Sequence, residues 1–326
     1  MKVRLLVFSF FAFFPTMLFA QKRNIIFPKE IWKDNRGEHI QAHGGGIIKV
    51  KNIFYWFGED RSKDNDPALR YVGCYSSKDL VNWKFLKQLK FTPPKGFGEH
   101  WVLERPKVFY NEKTKKFVMY YHVDEHYRLA KVGIAVSDKV DGDYKFVKAF
   151  SPLGHESRDI GQFIDDDGSA YLIFEDRPFK GFRIAKLTDD YMDLTEVCLI
   201  QAPLEGGAIV HYEDLYYAIG SGLTAWDPNP NKYATAKSLA GPWSDFKDIA
   251  PPETKTYGSQ STMMIKVVGT KTTSVIFMAD VWKPDSQWDS RYLWMPLKIG
   301  DGKLSLPAPQ PFSLNIKTGI TKIITN

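Results

Sequence analysis

Five polar residues stand at comparable places along the chain and are of types that could do chemistry together. They are His43 in Ala42-His43-Gly44-Gly45-Gly46, Glu104 in Leu103-Glu104-Arg105-Pro106, Asp159 in Arg158-Asp159-Ile160-Gly161, Glu205 in Leu204-Glu205-Gly206-Gly207, and Gln260 in Gly258-Ser259-Gln260-Ser261-Thr262. Successive members are 61, 55, 46 and 55 residues apart. If each leads a strand of a repeating unit and the leading ends converge, three carboxylates, an imidazole and an amide share one site. Acids gathered in this way repel, so at least one keeps its proton to an unusually high pH. A protonated carboxyl beside charged ones is the equipment of glycosidic bond hydrolysis. The acid protonates the leaving oxygen while a group on the opposite face activates or positions water.

The elements that would position these residues are short strands. Helical periodicity is scarce, and aromatic or alternating runs follow polar turns throughout, as in Ile53-Phe54-Tyr55-Trp56-Phe57, Phe117-Val118-Met119-Tyr120-Tyr121, Ala170-Tyr171-Leu172-Ile173-Phe174, Leu215-Tyr216-Tyr217-Ala218-Ile219 and Ser274-Val275-Ile276-Phe277-Met278. Asp167-Gly168 reads as a type I′ hairpin turn. A calcium loop beginning at Asp165 lacks the twelve-residue ligand pattern. Third strands follow in each unit, from Tyr71, Val132, Phe182, Tyr233 and Tyr292. Five copies of a four-stranded unit at a period of about 45–60 residues specify an all-β, five-bladed β-propeller. A pair of β-sandwiches would show no fixed internal period.

The chain has 326 residues. Residues 1–20, with a basic start and an apolar run from Leu5 to Leu18, read as a secretory signal peptide. That run is short for a membrane anchor, so a protein secreted or periplasmic, and not inserted in a membrane, is expected. Residues 21–326 are expected to form one propeller domain, with the tail from Pro307 as a closing strand and no separate carbohydrate-binding domain. Net charge is +6, but the 44 Lys and Arg are interleaved with 38 Asp and Glu. No basic stripe tracks a nucleic-acid backbone. Two cysteines, Cys74 and Cys198, make no disulfide scaffold, although in an exported chain they can pair. His122 and His126 lie four apart on strand and loop rather than on a zinc helix, and the triple glycine leads into a strand, unlike a phosphate loop.

The leading motifs, with Ser221-Gly222-Leu223-Thr224-Ala225-Trp226-Asp227-Pro228-Asn229 and Tyr257-Gly258-Ser259-Gln260-Ser261-Thr262, resemble glycoside hydrolase family 43 over nearly the whole mature chain. The resemblance implies an inverting hydrolase in which Glu205 is the general acid and Asp159 tunes its pKa. Where the family usually carries a basic Asp on its first blade, this chain has His43. That departure resembles the exo-β-1,3-galactanase branch, which implies that Glu104 orients water or substrate and that Gln260 acts as base, through its imidic tautomer, or positions water. An ordinary amide is a very poor base, so water positioning fits the sequence equally well. Trp101 and Trp226 are candidates for stacking on sugar rings, and His43, Tyr127, Glu175, Thr224 and Asp227 for polar substrate contact. No cofactor is required, although the family often places calcium on the axis, where His43 could hold it or a water. The expected partner of a monomeric enzyme is a polysaccharide such as arabinogalactan, trimmed to galactose. Alternatives with the same fold are an α-L-arabinofuranosidase, a β-galactofuranosidase or a β-xylosidase. A glycan-binding propeller without activity is a further one.

Overall fold

The computed structural model describes residues 24–325; the expected signal segment lies outside the described residues. The chain is all-β. Four antiparallel sheets of four strands follow one another, each with its strands in chain order. Sheet I comprises His43–Val50, Ile53–Glu59, Arg70–Ser77 and Lys84–Phe91. Sheet II comprises Trp101–Asn111, Lys116–Glu125, Lys131–Ser137 and Lys145–Phe150. Sheet III comprises Ile160–Ile164, Ala170–Asp176, Gly181–Leu187 and Leu194–Ile200. Sheet IV comprises Leu204–Tyr212, Leu215–Gly222, Lys232–Ala236 and Lys247–Asp248. Sheet V has three strands, Gln260–Val268, Thr273–Val281 and Arg291–Pro296.

Here the expectation of five equal units needs correction. The tail strands Phe312–Asn315 and Ile320–Ile323 do not complete sheet V. They pair with each other, and Phe312–Asn315 pairs with Ile25–Ile26 near the start of the described chain. The stretch that would reach sheet V forms its own hairpin, Lys298–Gly300 against Lys303–Ser305. The turn at Asp167-Gly168 also differs. It spans Asp165 to Ser169, Gly168 N–H closes on the Asp165 carbonyl, and only Gly168 takes positive φ (84°). That is the longer hairpin loop with a left-handed glycine rather than a two-residue turn.

The apolar residues fill the spaces between successive sheets. Phe57, Val72 and Cys74 of sheet I meet Leu103, Val108 and Met119 of sheet II. Phe109, Tyr120 and Ile134 of sheet II meet Leu172, Phe174 and Ala185 of sheet III. Ile173, Phe182 and Ile184 of sheet III meet Leu204, Ile209 and Ala218 of sheet IV. A larger cluster takes in Val210 and Tyr217 of sheet IV, Phe277 and Trp294 of sheet V, and Ile47, Trp56 and Tyr75 of sheet I. The first strand of each sheet lies against the first strand of the next, and Gln260–Val268 also lies against His43–Val50. Strands covered on both faces read as continuous apolar runs. The fourth strands Lys84–Phe91 and Lys145–Phe150 face outward and carry three and two lysines, which discourages edge pairing. Cys74 and Cys198 are free and belong to separate clusters, so the possible disulfide does not form.

Candidate active site

Asp159, Glu205 and Gln260 meet at one end of the first strands through Arg105, and Glu104 joins them through Arg61 and Glu59, while a shared backbone device shapes the strand ends of four sheets. The ladder between first and second strands is interrupted at His43/Gly46, Glu104/Lys107, Glu205/Ala208 and Ser261/Met263. Bulges of this kind bend a strand end and redirect its side chains. The bulge residue takes positive φ at Gly44 (56°) and Gly206 (63°), where glycine tolerates it. At the equivalent place sheet II has Arg105, at φ 50°. A non-glycine residue held there is strained, and its contacts show what offsets the strain. The Arg105 backbone N–H donates to Glu59 Oε1 (2.9 Å) and Nε pairs with Asp159 Oδ1 (2.8 Å). Its Nη1 donates to the Ser261 carbonyl (3.1 Å) and Nη2 to Gln260 Oε1 (2.6 Å). One buried arginine thus ties sheets II and V to the residue leading sheet III through its guanidinium, and reaches sheet I through its backbone N–H.

Glu205 is 7% exposed, and one carboxylate oxygen from each of Asp159, Glu175 and Glu205 lies within 4.8 Å of the other two. Burial, then the charges of Asp159 and Glu175, push Glu205 up to about 8, against the opposing pull of Arg105 and Arg177. Glu175 is raised as well, by burial and by Asp159. Gln260 Nε2 donates to Glu205 Oε1 (2.9 Å), and Arg177 Nη2 donates to Glu205 Oε2 (3.2 Å). Arg177 Nε also holds Glu175 Oε1 (2.6 Å).

Gln260 is saturated. Its oxygen accepts from Arg105 and from Trp282 Nε1 (3.0 Å), and its nitrogen donates to Glu205 and to Ser221 Oγ (3.1 Å). Arg105 and Trp282 offer only donors, so this amide orientation is the one that satisfies the network. Glu104 Oε1 accepts from Tyr127 Oη (2.7 Å) and, at 3.5 Å, from Arg61, while Oε2 faces His122 Nδ1 (3.1 Å). Although burial alone would raise it, these partners, His122 foremost, hold Glu104 down at about 2.

The sugar-contact candidates divide. Tyr127 is half exposed beside Glu104, and Glu175 belongs to the acid cluster. Trp226 is 40% exposed, stands edge-on to Trp282 with ring centres 5.4 Å apart, and shares a recess with Gln260, Ser221 and Asp227. Thr224 Oγ1 donates to the Asp227 carbonyl (2.5 Å) and accepts from Asn229 Nδ2, so its hydroxyl serves the turn under Trp226. Two expectations are corrected. Trp101 is fully buried, with its indole N–H on the Ala68 carbonyl (3.1 Å), and has no face to offer a sugar. His43 is also fully buried. Its Nδ1 lies 2.9 Å from Asp280 Oδ1 and its ring stacks on Tyr292, so it supports the strand end and makes no substrate contact.

The sequence reading passed over Arg105, Glu59, Arg61, His122, Asp124, Arg177 and Trp282. For Arg105 there was a signal, an arginine at the place held by glycine in two other repeats. The rest lie on second strands or loops, where no repeat register singles them out. Asp159, Glu175 and Glu205 are close enough to share a metal ion, as are Asp165, Asp166 and His211. Arg105 and Arg177 already neutralise the first group, and Lys266 grips both oxygens of Asp166 in the second (2.8 Å each).

The family model for glycosyl hydrolases family 43 matches residues 45–279, and the chain belongs to that family. It is therefore a glycoside hydrolase. Among solved structures it is similar to an exo-β-1,3-galactanase from Phanerochaete chrysosporium, solved with β-1,3-galactotriose (38% identity, 93% of this chain and 71% of that one, TM-score 0.86). It is also similar to an exo-β-1,3-galactanase from Clostridium thermocellum (33% identity, 93% and 69%, TM-score 0.85). A putative exo-β-1,3-galactanase from Bifidobacterium bifidum matches at 35% identity over 86% of this chain and 96% of that one, with a TM-score of 0.80. No curated protein sequence matches the chain.

Proposed function

We propose that the chain is an inverting exo-β-1,3-galactanase that releases galactose from the ends of arabinogalactan-type polysaccharide, with Glu205 as general acid. The observation that carries this reading is the buried acid cluster, in which burial and then the charges of Asp159 and Glu175 keep Glu205 protonated near neutral pH. The substrate follows from the galactanase relatives and from His43, which stands where a basic carboxylate would be expected and is sealed against Asp280. The five sheets, packed in order with sheet V against sheet I, are on this reading the blades of a five-bladed propeller whose channel mouth holds the site.

Glu205 Oε2 is the oxygen that delivers the proton. Its partner Arg177 is about half exposed and can yield to the leaving glycosidic oxygen, whereas Oε1 is fixed by Gln260. Asp159, paired with Arg105, stays charged and sustains the acid. Gln260 positions water by turning to it the Nε2 hydrogen that otherwise rests on Ser221 Oγ (3.1 Å), and does not accept its proton. Both lone pairs of its oxygen face donors and both hydrogens are engaged, so an imidic hydroxyl would point at two donor-only groups. Glu104, an anion at every working pH, orients the water or a sugar hydroxyl, and Tyr127 and Trp226 contact the sugar.

No cofactor enters this chemistry, and a calcium beside His43 fits poorly. Calcium takes six to eight oxygens. The Gly44 carbonyl there already accepts from the buried Lys107 Nζ (2.8 Å), as does that of Gly45, and His43 Nδ1 is engaged by Asp280. The enzyme on this reading is an exported monomer. Chromatography of sugars released from β-1,3-galactan, arabinan, xylan and a galactofuranoside tests the substrate. Galactose from galactan alone is expected, and arabinose or xylose release with intact galactan would replace the substrate while leaving the acid in place.

A further inference from the structure

His122 is 2% exposed, and both its ring nitrogens face carboxylates: Nδ1 lies 3.1 Å from Glu104 Oε2 and Nε2 lies 3.2 Å from Asp124 Oδ2. Each of those oxygens is an acceptor, so satisfying both requires a hydrogen on each nitrogen, which makes the ring an imidazolium. Asp124 in turn gathers the following loop. Its Oδ1 accepts the N–H groups of Glu125 (2.6 Å), Arg128 (2.7 Å) and Leu129 (2.8 Å), and its Oδ2 accepts that of Ala130 (2.9 Å). Within that loop His126, Tyr127 and Ala130 all have positive φ (52°, 54° and 44°), a conformation non-glycine residues hold only under external constraint. The tip of the loop is Tyr127, whose hydroxyl returns to Glu104 Oε1 (2.7 Å). Glu104, His122, Asp124, the loop and Tyr127 therefore form a closed chain of contacts with one end in the site.

We propose that His122 is a positioning residue, held as an imidazolium, that fixes the Glu104 carboxylate and the strained Tyr127 loop in the arrangement that receives the sugar. The proposal rests on the reading of Glu104 and Tyr127 given above. A buried histidine that merely filled space would need one hydrogen bond and no charge, and burial alone would drive its proton off. Here the two carboxylates outweigh burial and lift His122 to about 9, while Glu104 is held at about 2. The other charged groups facing the trio are Arg61, 3.5 Å from Glu104, Glu59, which shares that arginine, Arg70 on the same side, and Arg158, 3.8 Å from Asp124, with the Tyr127 ring beside the imidazole. Above its pKa a neutral ring has one N–H for two carboxylates, and one contact turns repulsive. Asp124 retains four backbone donors, so the Glu104 contact is the one the remaining hydrogen serves.

The test is an NMR titration of the imidazole nitrogens in ¹⁵N-histidine protein, joined to pH-rate profiles on β-1,3-galactan. In the wild type, His122 should show two protonated nitrogens at pH 7 and titrate near pH 9. Its midpoint should fall by about one unit or more in Glu104→Gln, which keeps the imidazole in place. In His122→Gln, Glu104 loses the nearer of its two cations and keeps Arg61, 3.5 Å away, so the acid limb of kcat/KM should rise from near pH 2 towards about pH 4–5. At pH 4 the variant should then be about two- to tenfold slower relative to its own plateau. A bare ring nitrogen at pH 7, or a folded His122→Gln enzyme with an unmoved acid limb, overturns the proposal. If galactan is untouched by the wild type, the substrate assignment fails while the nitrogen spectra still decide the charge of His122. If His122→Gln does not fold, the shift in Glu104→Gln decides it.

Discussion

Replacing Asp159 by Asn isolates the electrostatic support of the acid. The variant keeps shape and volume but removes the charge that, after burial, contributes most to raising Glu205. Two unit charges 4.8 Å apart at an effective dielectric constant of about 20 interact by about 3.5 kcal/mol, or about 2.5 pH units. Arg105, 2.8 Å from Asp159, cancels part of this in the wild type and stays behind as a cation in the variant. A net fall of at least about one unit is therefore expected, from about 8 to about 7 or below. The sign is fixed by the role: a general acid works protonated, so activity is lost as pH rises through its folded pKa. The alkaline limb of kcat/KM on β-1,3-galactobiose should move down by that amount, making the variant about fivefold slower at pH 8 beyond any uniform loss. A limb that stays put or moves upward refutes the assignment of Asp159 as the support of Glu205, provided a thermal melt shows the variant folded.

Glu205→Gln should lower kcat by about a hundredfold or more. Because the folded-state value is raised, the stability Glu205 contributes is present below about pH 4 and lost as pH climbs towards 8. The glutamine variant should therefore melt with the wild type at pH 4 and several degrees above it at pH 8–9, and calorimetry at both pH values checks this. Arg105→Gly supplies the residue its φ prefers and keeps the backbone N–H on Glu59, yet leaves Asp159, Gln260 and the Ser261 carbonyl without their common guanidinium. Loss of a buried, paired cation should outweigh the relieved strain, lowering the melting temperature and cutting kcat/KM by about a hundredfold. An Arg105→Gly enzyme more stable than wild type and fully active contradicts the hub. Trp226→Ala should raise KM about tenfold with kcat little changed, as expected of a surface that stacks on the sugar and touches none of the reacting atoms.

Much of this arrangement was legible because the chemistry sits at the head of each repeat. A period of about 45–60 residues put Glu104, Asp159, Glu205 and Gln260 in register without any knowledge of three-dimensional contacts. The same register misled at His43, since a bulge turns strand ends individually and this imidazole is turned towards Asp280. Trp101 misled because strands covered on both faces show no alternation separating a core tryptophan from an exposed one. Arg105 became intelligible only as the strained counterpart of Gly44 and Gly206, a conformational equivalence that side-chain chemistry does not announce. His122 and Asp124 act across a second strand and a loop, where the partner of each side chain depends on packing of distant segments. The missing fourth strand of sheet V follows from the Lys298–Ser305 hairpin and from Ile25–Ile26, which captures the tail.

The most direct test of the central claim is a time-resolved proton NMR spectrum of sugar released from β-1,3-galactan by the wild type and by Glu205→Gln. The account predicts α-galactose as the first species, appearing before mutarotation and as the sole initial product, with none from the variant. Release of β-galactose first, of longer oligosaccharides, or of galactose at an unchanged rate by Glu205→Gln would contradict it.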